Sequence, residues 1–171
     1  ARIQAFNDDI RNWIQNNAGR TAQATYVIPT VVHVIQEDAT EYPSDACILN
    51  QIDVLNEDFQ AINADTALVP QDFKPLIGNC DVEFCLATVD PQGNPSTGII
   101  RSIDPTNANH SMSQSSQMKA LSQWDPTRYL NIWITKTISG GILGYATFPT
   151  ALTSNPSEDG IVLNGEYVGR N

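Results

Sequence analysis

The chain has 171 residues, 41% of them hydrophobic and 16% charged, with a formal net charge of −10, a pI of about 4.3 and a mean hydropathy of −0.24. That length suits one domain that buries a core without a disulfide framework, and no apolar run approaches the roughly 20 residues of a membrane-spanning helix. The acidic balance argues against nucleic acid and anionic membrane surfaces as partners, because both are recognised by clustered Lys and Arg, and two histidines exclude any three-histidine site built from this chain alone.

Taken in order, Ile3, Phe6, Ile10, Trp13 and Ile14 recur at helical spacing, and Gly19 ends that first helix. Residues 26–36 (YVIPTVVHVIQ) are β-branched and read as a strand, with Pro29 near its start. Ser44 is the expected N-cap of a second helix whose apolar stripe is Ile48, Ile52, Leu55 and Phe59. Pro70 opens a short third helix that closes near Gly78, and residues 81–90 alternate as a half-buried strand. Residues 90–123 are rich in Pro, Gly, Asn, Ser and Thr and read as loop, interrupted by one short strand at 98–103. Three strands follow, at 129–135, 142–148 and 160–164. The expected fold class is α+β, a twisted mixed sheet of about five strands backed by two helices. No repeat or linker divides residues 1–171, so they form one unit.

Cys47, Cys80 and Cys85 contain no Cys-x-x-Cys pair, which removes a zinc ribbon or a thioredoxin-type redox site. Their odd number leaves a free thiol, an external partner, or one bridge plus a spare. Three lysines amid abundant Asn, Thr, Ser and Gln read as a secreted, extracellular protein, with Ala1 as a processed start.

The search for chemistry starts with absences. There is no Gly-x-Ser-x-Gly elbow, no phosphate-cradling glycine loop and no His-Glu-x-x-His. His33, flanked by Val31 and Ile35 in a strand, reads as a hydrogen-bonded structural histidine, and His110 as a solvated loop residue. Glu57 and Asp58 fit a solvated helix face. Asn155, Glu158 and Asp159 could offer calcium hard oxygens, but Asn-Pro and Asp-Gly turns explain them more simply, as a turn explains Asp90-Pro-Gln-Gly93. The segment Gly140-Gly-Ile-Leu-Gly-Tyr-Ala-Thr-Phe-Pro149 carries glycines inside a strand and a proline at its end, marks of an edge strand. An edge presents unpaired N–H and C=O groups, which is what strand addition of an extended peptide requires. Gly144 would let another backbone approach closely.

Several stretches together resemble the ulilysin-like pappalysin family of metzincin zinc metalloendopeptidases. They are Val31-Val-His-Val-Ile35, Ile52-Asp-Val-Leu-Asn-Glu-Asp-Phe59, Phe84-Cys-Leu-Ala-Thr-Val-Asp-Pro91 with Gly98-Ile-Ile-Arg101, Tyr129-Leu-Asn-Ile-Trp-Ile134, Leu143-Gly-Tyr-Ala-Thr-Phe-Pro149 and Asp159-Gly-Ile-Val162. The resemblance implies a metzincin-like upper, N-terminal subdomain with an antiparallel edge strand over the cleft. In that family a later helix, His-Glu-x-x-His-x-x-Gly-x-x-His, supplies three zinc ligands and a general base. The motif is absent from this sequence, so the resemblance places no catalytic residue and no metal ligand here, and this chain alone is expected to be inactive. It does place a substrate-binding role on Leu143, Gly144, Tyr145, Ala146 and Thr147. It implies a zinc cofactor held by residues outside this chain, admits calcium as a second ion, and gives a peptide or protein as substrate. A C-terminal fragment of the same enzyme, bound as a second chain, is the expected partner. The alternative is a non-catalytic module that captures peptides on the same edge.

Overall fold

The computed structural model describes residues 2–16, 25–40, 42–148 and 151–170. In chain order the elements are helix α1 (Arg2–Asn16), strand β1 (Tyr26–Gln36), helix α2 (Asp45–Phe59), strands β2 (Val82–Leu86) and β3 (Ile99–Ile103), helix α3 (Pro105–Ala108), strand β4 (Asn109–His110), helix α4 (Ser115–Ser122), strands β5 (Leu130–Thr135), β6 (Thr137–Ile138) and β7 (Gly144–Ala146), helix α5 (Ala151–Ser154) and strand β8 (Ile161–Asn164). This is an α+β fold on a six-stranded mixed sheet, whose strands fall in the six segments that the sequence marks as strands.

The sheet is organised by β1, whose residues from Thr30 to Gln36 are all buried. A strand buried on both faces reads as a continuous β-branched run, and residues 31–35 (VVHVI) are one. On one side β1 pairs in parallel with β5 (Val32↔Ile132, Val34↔Ile134). On the other it pairs in parallel first with β2 and then with β3, which share the length of one edge. Next, β5 pairs in parallel with β8, and β8 holds β7 antiparallel at the far edge. The alternation of β1 sorts the core in two. Val32 and Val34 join Ile48, Ile132, Ile134 and Val168 under α2, while Ile35 joins Trp133, Val162, Met118, Ala108 and Ile138 on the opposite face.

The N-cap expectation is met, since Ser44 Oγ accepts from Cys47 N at 3.3 Å. Ile48 and Ile52 are the buried residues of that helix, whereas Phe59 lies exposed at its end. Four expectations need correction. Every described side chain of α1 is exposed, and the second covering helix is instead α4, with Met118 and Lys119 fully buried. Residues 90–123 are therefore not loop with one strand. Their polar composition hides α4, whose sequence SSQMKALS turns a single apolar side chain, Met118, to the core and leaves Ala120 and Leu121 exposed. The helix expected between Pro70 and Gly78 is a single 3₁₀ turn, Lys74–Leu76, and a second such turn, Ala64–Leu68, precedes it. The strand at 81–90 also stops at Leu86, after which Val89 makes only an isolated bridge to Pro95. Gly19 and Pro149, expected to end a helix and a strand, lie outside the described residues.

Candidate functional site

The edge strand forms as its glycines dictate. Gly140 and Gly141 take φ of +82° and +69°, a backbone that side-chain-bearing residues rarely adopt, and they turn the chain into β7. The register is Gly144↔Leu163, Tyr145↔Val162 and Ala146↔Ile161, and Asn164 N donates to Leu143 O at 2.9 Å just beyond it. Leu143, Gly144 and Ala146 are exposed, while Tyr145 is half-buried against Val162 and Trp133. Thr147 Oγ1 donates to Glu158 O at 3.0 Å, tying down the far end. All five residues singled out from the sequence therefore sit together, at the end of the sheet, with the second edge of β7 unpaired among the described residues. One detail differs from expectation. A Cβ on Gly144 would come within 2.9 Å of Val162 O and 3.0 Å of a Leu163 methyl, so this glycine admits β8 rather than an incoming backbone.

Both histidines are buried. His33 Nε2 is hydrogen-bonded to Asn131 Oδ1 at 3.0 Å, and its ring stacks on Trp133 with centroids 5.2 Å apart. Burial lowers its pKa to about 4, against a smaller upward pull from the Asn131 bond, so it is neutral at pH 7. His110 is not the solvated loop residue that its polar neighbours imply. It has no exposed surface, β4 pairs with β6, and Nε2 lies 2.7 Å from Tyr145 Oη. Burial, and then the charge of Lys119, hold its pKa below the usual histidine value.

A zinc site does not fit the donors that this chain assembles. Each histidine is engaged in a separate buried contact, and no group of three His, Cys, Asp or Glu side chains converges among the described residues. The oxygens considered for calcium are likewise in use. Asn155 Oδ1 accepts from Ser157 Oγ, and the Glu158 carboxylate accepts from Ser115 Oγ at 3.3 Å with Lys119 Nζ 3.7 Å away. Asp90 is a turn residue as expected, its Oδ1 accepting from Gln92 N and Asn94 N. Glu57 is less solvated than a free helix face, since it pairs with Arg170. All three cysteines are free thiols, and Cys47 Sγ donates to Val168 O at 2.9 Å. A cleft of about 240 Å³ opens at the C-terminal end of β1, but two of its lining groups, Glu37 and Lys136, are bonded to each other.

Sequence reasoning missed Asn131. It is fully buried, receives Trp124 N at 2.8 Å, donates to Trp124 O at 2.9 Å and holds His33. Its signal was a lone amide inside the apolar run LNIWIT.

No protein-family model matches the sequence, and no curated protein matches it. Solved structures do. Mature mirolysin from Tannerella forsythia in complex with a cleaved peptide is 40% identical with a TM-score of 0.80, over 87% of this chain and 56% of its own. Mirolysin bound to a compound matches with the same values. A mutant of Tannerella forsythia promirolysin is 38% identical with a TM-score of 0.83, over 96% of this chain and 54% of its own. The chain thus spans about half the length of these structures. Sequence and fold agree over that half, and the chain belongs with mirolysin to the ulilysin-like pappalysin metzincins, matching an N-terminal subdomain.

Proposed function

We propose that this chain is the peptide-holding, N-terminal part of a secreted zinc-dependent endopeptidase. The zinc-binding helix is supplied by residues outside it, in a C-terminal portion that closes the cleft beneath β7. The observation that carries the reading is β7 itself, an antiparallel edge strand with one edge unpaired, in a chain 40% identical to a protein solved with a cleaved peptide. A peptide laid along that edge would pair antiparallel with residues 143–147 through main-chain groups, leaving side-chain choice to pockets elsewhere. Leu143, Gly144, Tyr145, Ala146 and Thr147 are the substrate-binding residues of this reading. When zinc is bound by the outside residues it supplies the Lewis acidity for peptide hydrolysis. This chain's share is to hold the scissile segment extended, and no reaction step is assigned to its own side chains.

The test is an NMR titration of the 171-residue chain with insulin B chain, followed by mass analysis of the peptide. Amide shifts confined to residues 143–148, with the peptide recovered intact, are expected. Shifts centred on the 240 Å³ cleft, or none, would sink the reading. A second reading, a peptide-binding module without chemistry, rests on the same unpaired edge of β7. Stoichiometric zinc and peptide hydrolysis in the protein isolated from its source would exclude that module.

A further inference from the structure

Beneath β7 lies a buried polar cluster that holding a peptide by its main chain does not require. His110 and Tyr145 share the 2.7 Å hydrogen bond, with their rings stacked at 6.0 Å and 14°. Lys119, with no exposed surface, sits 5.7 Å from the Tyr145 ring centroid and 5.5 Å from that of Trp133. Its Nζ donates to Glu158 O at 2.7 Å, the same carbonyl that receives Thr147 Oγ1. The groups facing His110 are thus Tyr145 from β7 and Lys119 from α4. Behind Lys119 stand Glu158 and Asp159 from the turn before β8.

Burying an imidazole, a phenol and an ammonium under a three-residue strand costs desolvation that apolar side chains would avoid. What such groups add is direction. Apolar contact lets a strand slide or rock, whereas a hydrogen bond weakens steeply off its axis. Of the three residues in β7, only Tyr145 sends a side chain inward, because Gly144 has none and Ala146 is exposed.

We propose that Tyr145 is a positioning residue. Acting through His110, it holds β7 at the tilt and register that let a peptide pair along the unpaired edge. The inference rests on the reading of β7 as the peptide-holding strand. Removing the hydroxyl leaves the ring packing and the β8 ladder in place, yet frees the strand to rock, and successive peptide hydrogen bonds cannot then align together.

The experiment is Tyr145→Phe in the 171-residue chain, followed by amide hydrogen exchange, His ring NMR and the anisotropy of fluorescein-labelled insulin B chain. Exchange in residues 144–146 should rise about tenfold, with β1 and β5 unchanged, and peptide affinity should fall roughly tenfold, the scale of one hydrogen bond. The His110 ring signals should move and those of His33 should not, and with two histidines in the chain the assignment is simple. His110→Leu should reproduce the effect. His110→Gln, whose amide oxygen can take the place of Nε2, should restore affinity. A rise in exchange spread evenly over the sheet would make Tyr145 merely a core residue and overturn the proposal. So would unchanged exchange in β7 with unchanged affinity. Wild-type chain that fails to bind the peptide, while Tyr145→Phe still loosens β7, would overturn the peptide-holding reading and leave the His110–Tyr145 anchor standing.

Discussion

The parallel centre of the sheet and its antiparallel edge are held by different kinds of interaction. In the centre, β1, β5 and β8 are packed from both faces, and Val31, Val32, Trp133 and Val162 have at most 1% exposure. Apolar burial is non-directional and scales with area, so many small contacts there add to a large, tolerant stabilisation. At the edge, β7 offers three residues, two of them exposed, and relies on one tyrosine and a few polar atoms gathered from positions 110, 119 and 158. The part that would meet a ligand is thereby fixed by direction rather than by area. Its geometry can be altered without unfolding the domain.

The largest expected effect tests the centre. Trp133 is fully buried, stacks on His33, and donates Nε1 to Ser122 Oγ at 3.0 Å. Trp133→Ala should cost about 3–5 kcal/mol, seen as a lower urea midpoint with an unchanged m-value. A cost below about 1 kcal/mol would break the contrast, because the centre would then not carry the stability.

The next effect is a dependence on pH. The pKa of His33 is about 4 in the folded chain against 6.5 for the free side chain, so between those values the unfolded chain binds more protons. Stability is therefore intact above pH 6.5 and falls as the pH drops toward 4, by about 3 kcal/mol from this group. Carboxylates held low by their partners, such as Asp90 and Asp104, add a further loss at the acid end. An NMR titration of the His33 ring isolates the histidine contribution. A midpoint near 6.5 would show that the core admits the charged ring.

How far the fold and the site were legible follows the same division. β1 was read with its correct ends, and Ser44 as a cap, because a contiguous β-branched run and a capping side chain are local signals. The segment 140–149 was legible as an edge because glycine and proline punctuate strands, while the choice of 143–147 within it came from the family resemblance. His110 and α4 were not legible. Ser and Gln dominate 111–117 and give the segment a polar, loop-like composition, and only packing against Trp133 and Tyr145 shows that Met118, Lys119 and His110 point inward. Buried polar groups are paid for by partners distant in sequence, here 35 residues for His110 and 39 for Lys119, and no local pattern encodes them.

A smaller effect tests the edge. In Gly144→Ala the new methyl would meet Val162 O at 2.9 Å and a Leu163 methyl at 3.0 Å. Crowding of this kind costs about 1–3 kcal/mol where the neighbour is backbone. The loss should show as faster exchange in β7 and β8, with β1 protection barely changed. An equal loss of protection in β1 would mean that edge and centre unfold as one, against the division drawn above.

The smallest effect sharpens the comparison from the far side of the molecule. Ser44 Oγ accepts from Cys47 N at 3.3 Å, and the neighbouring Asp45 carboxylate accepts from Arg101 Nη2 at 2.5 Å, so the first turn of α2 is held twice. Ser44→Ala removes only the cap and should cost about 1 kcal/mol of global stability. Since α2 covers the face built on Val32, Val34, Ile132 and Ile134, that cost belongs to the centre. Peptide affinity and exchange in β7, measured as for Tyr145→Phe, should therefore stay at wild-type values while the urea midpoint falls. A cap that weakened the peptide as much as it weakened the fold would show that β7 is positioned by the stability of the whole sheet, and the polar cluster beneath it would lose its separate role.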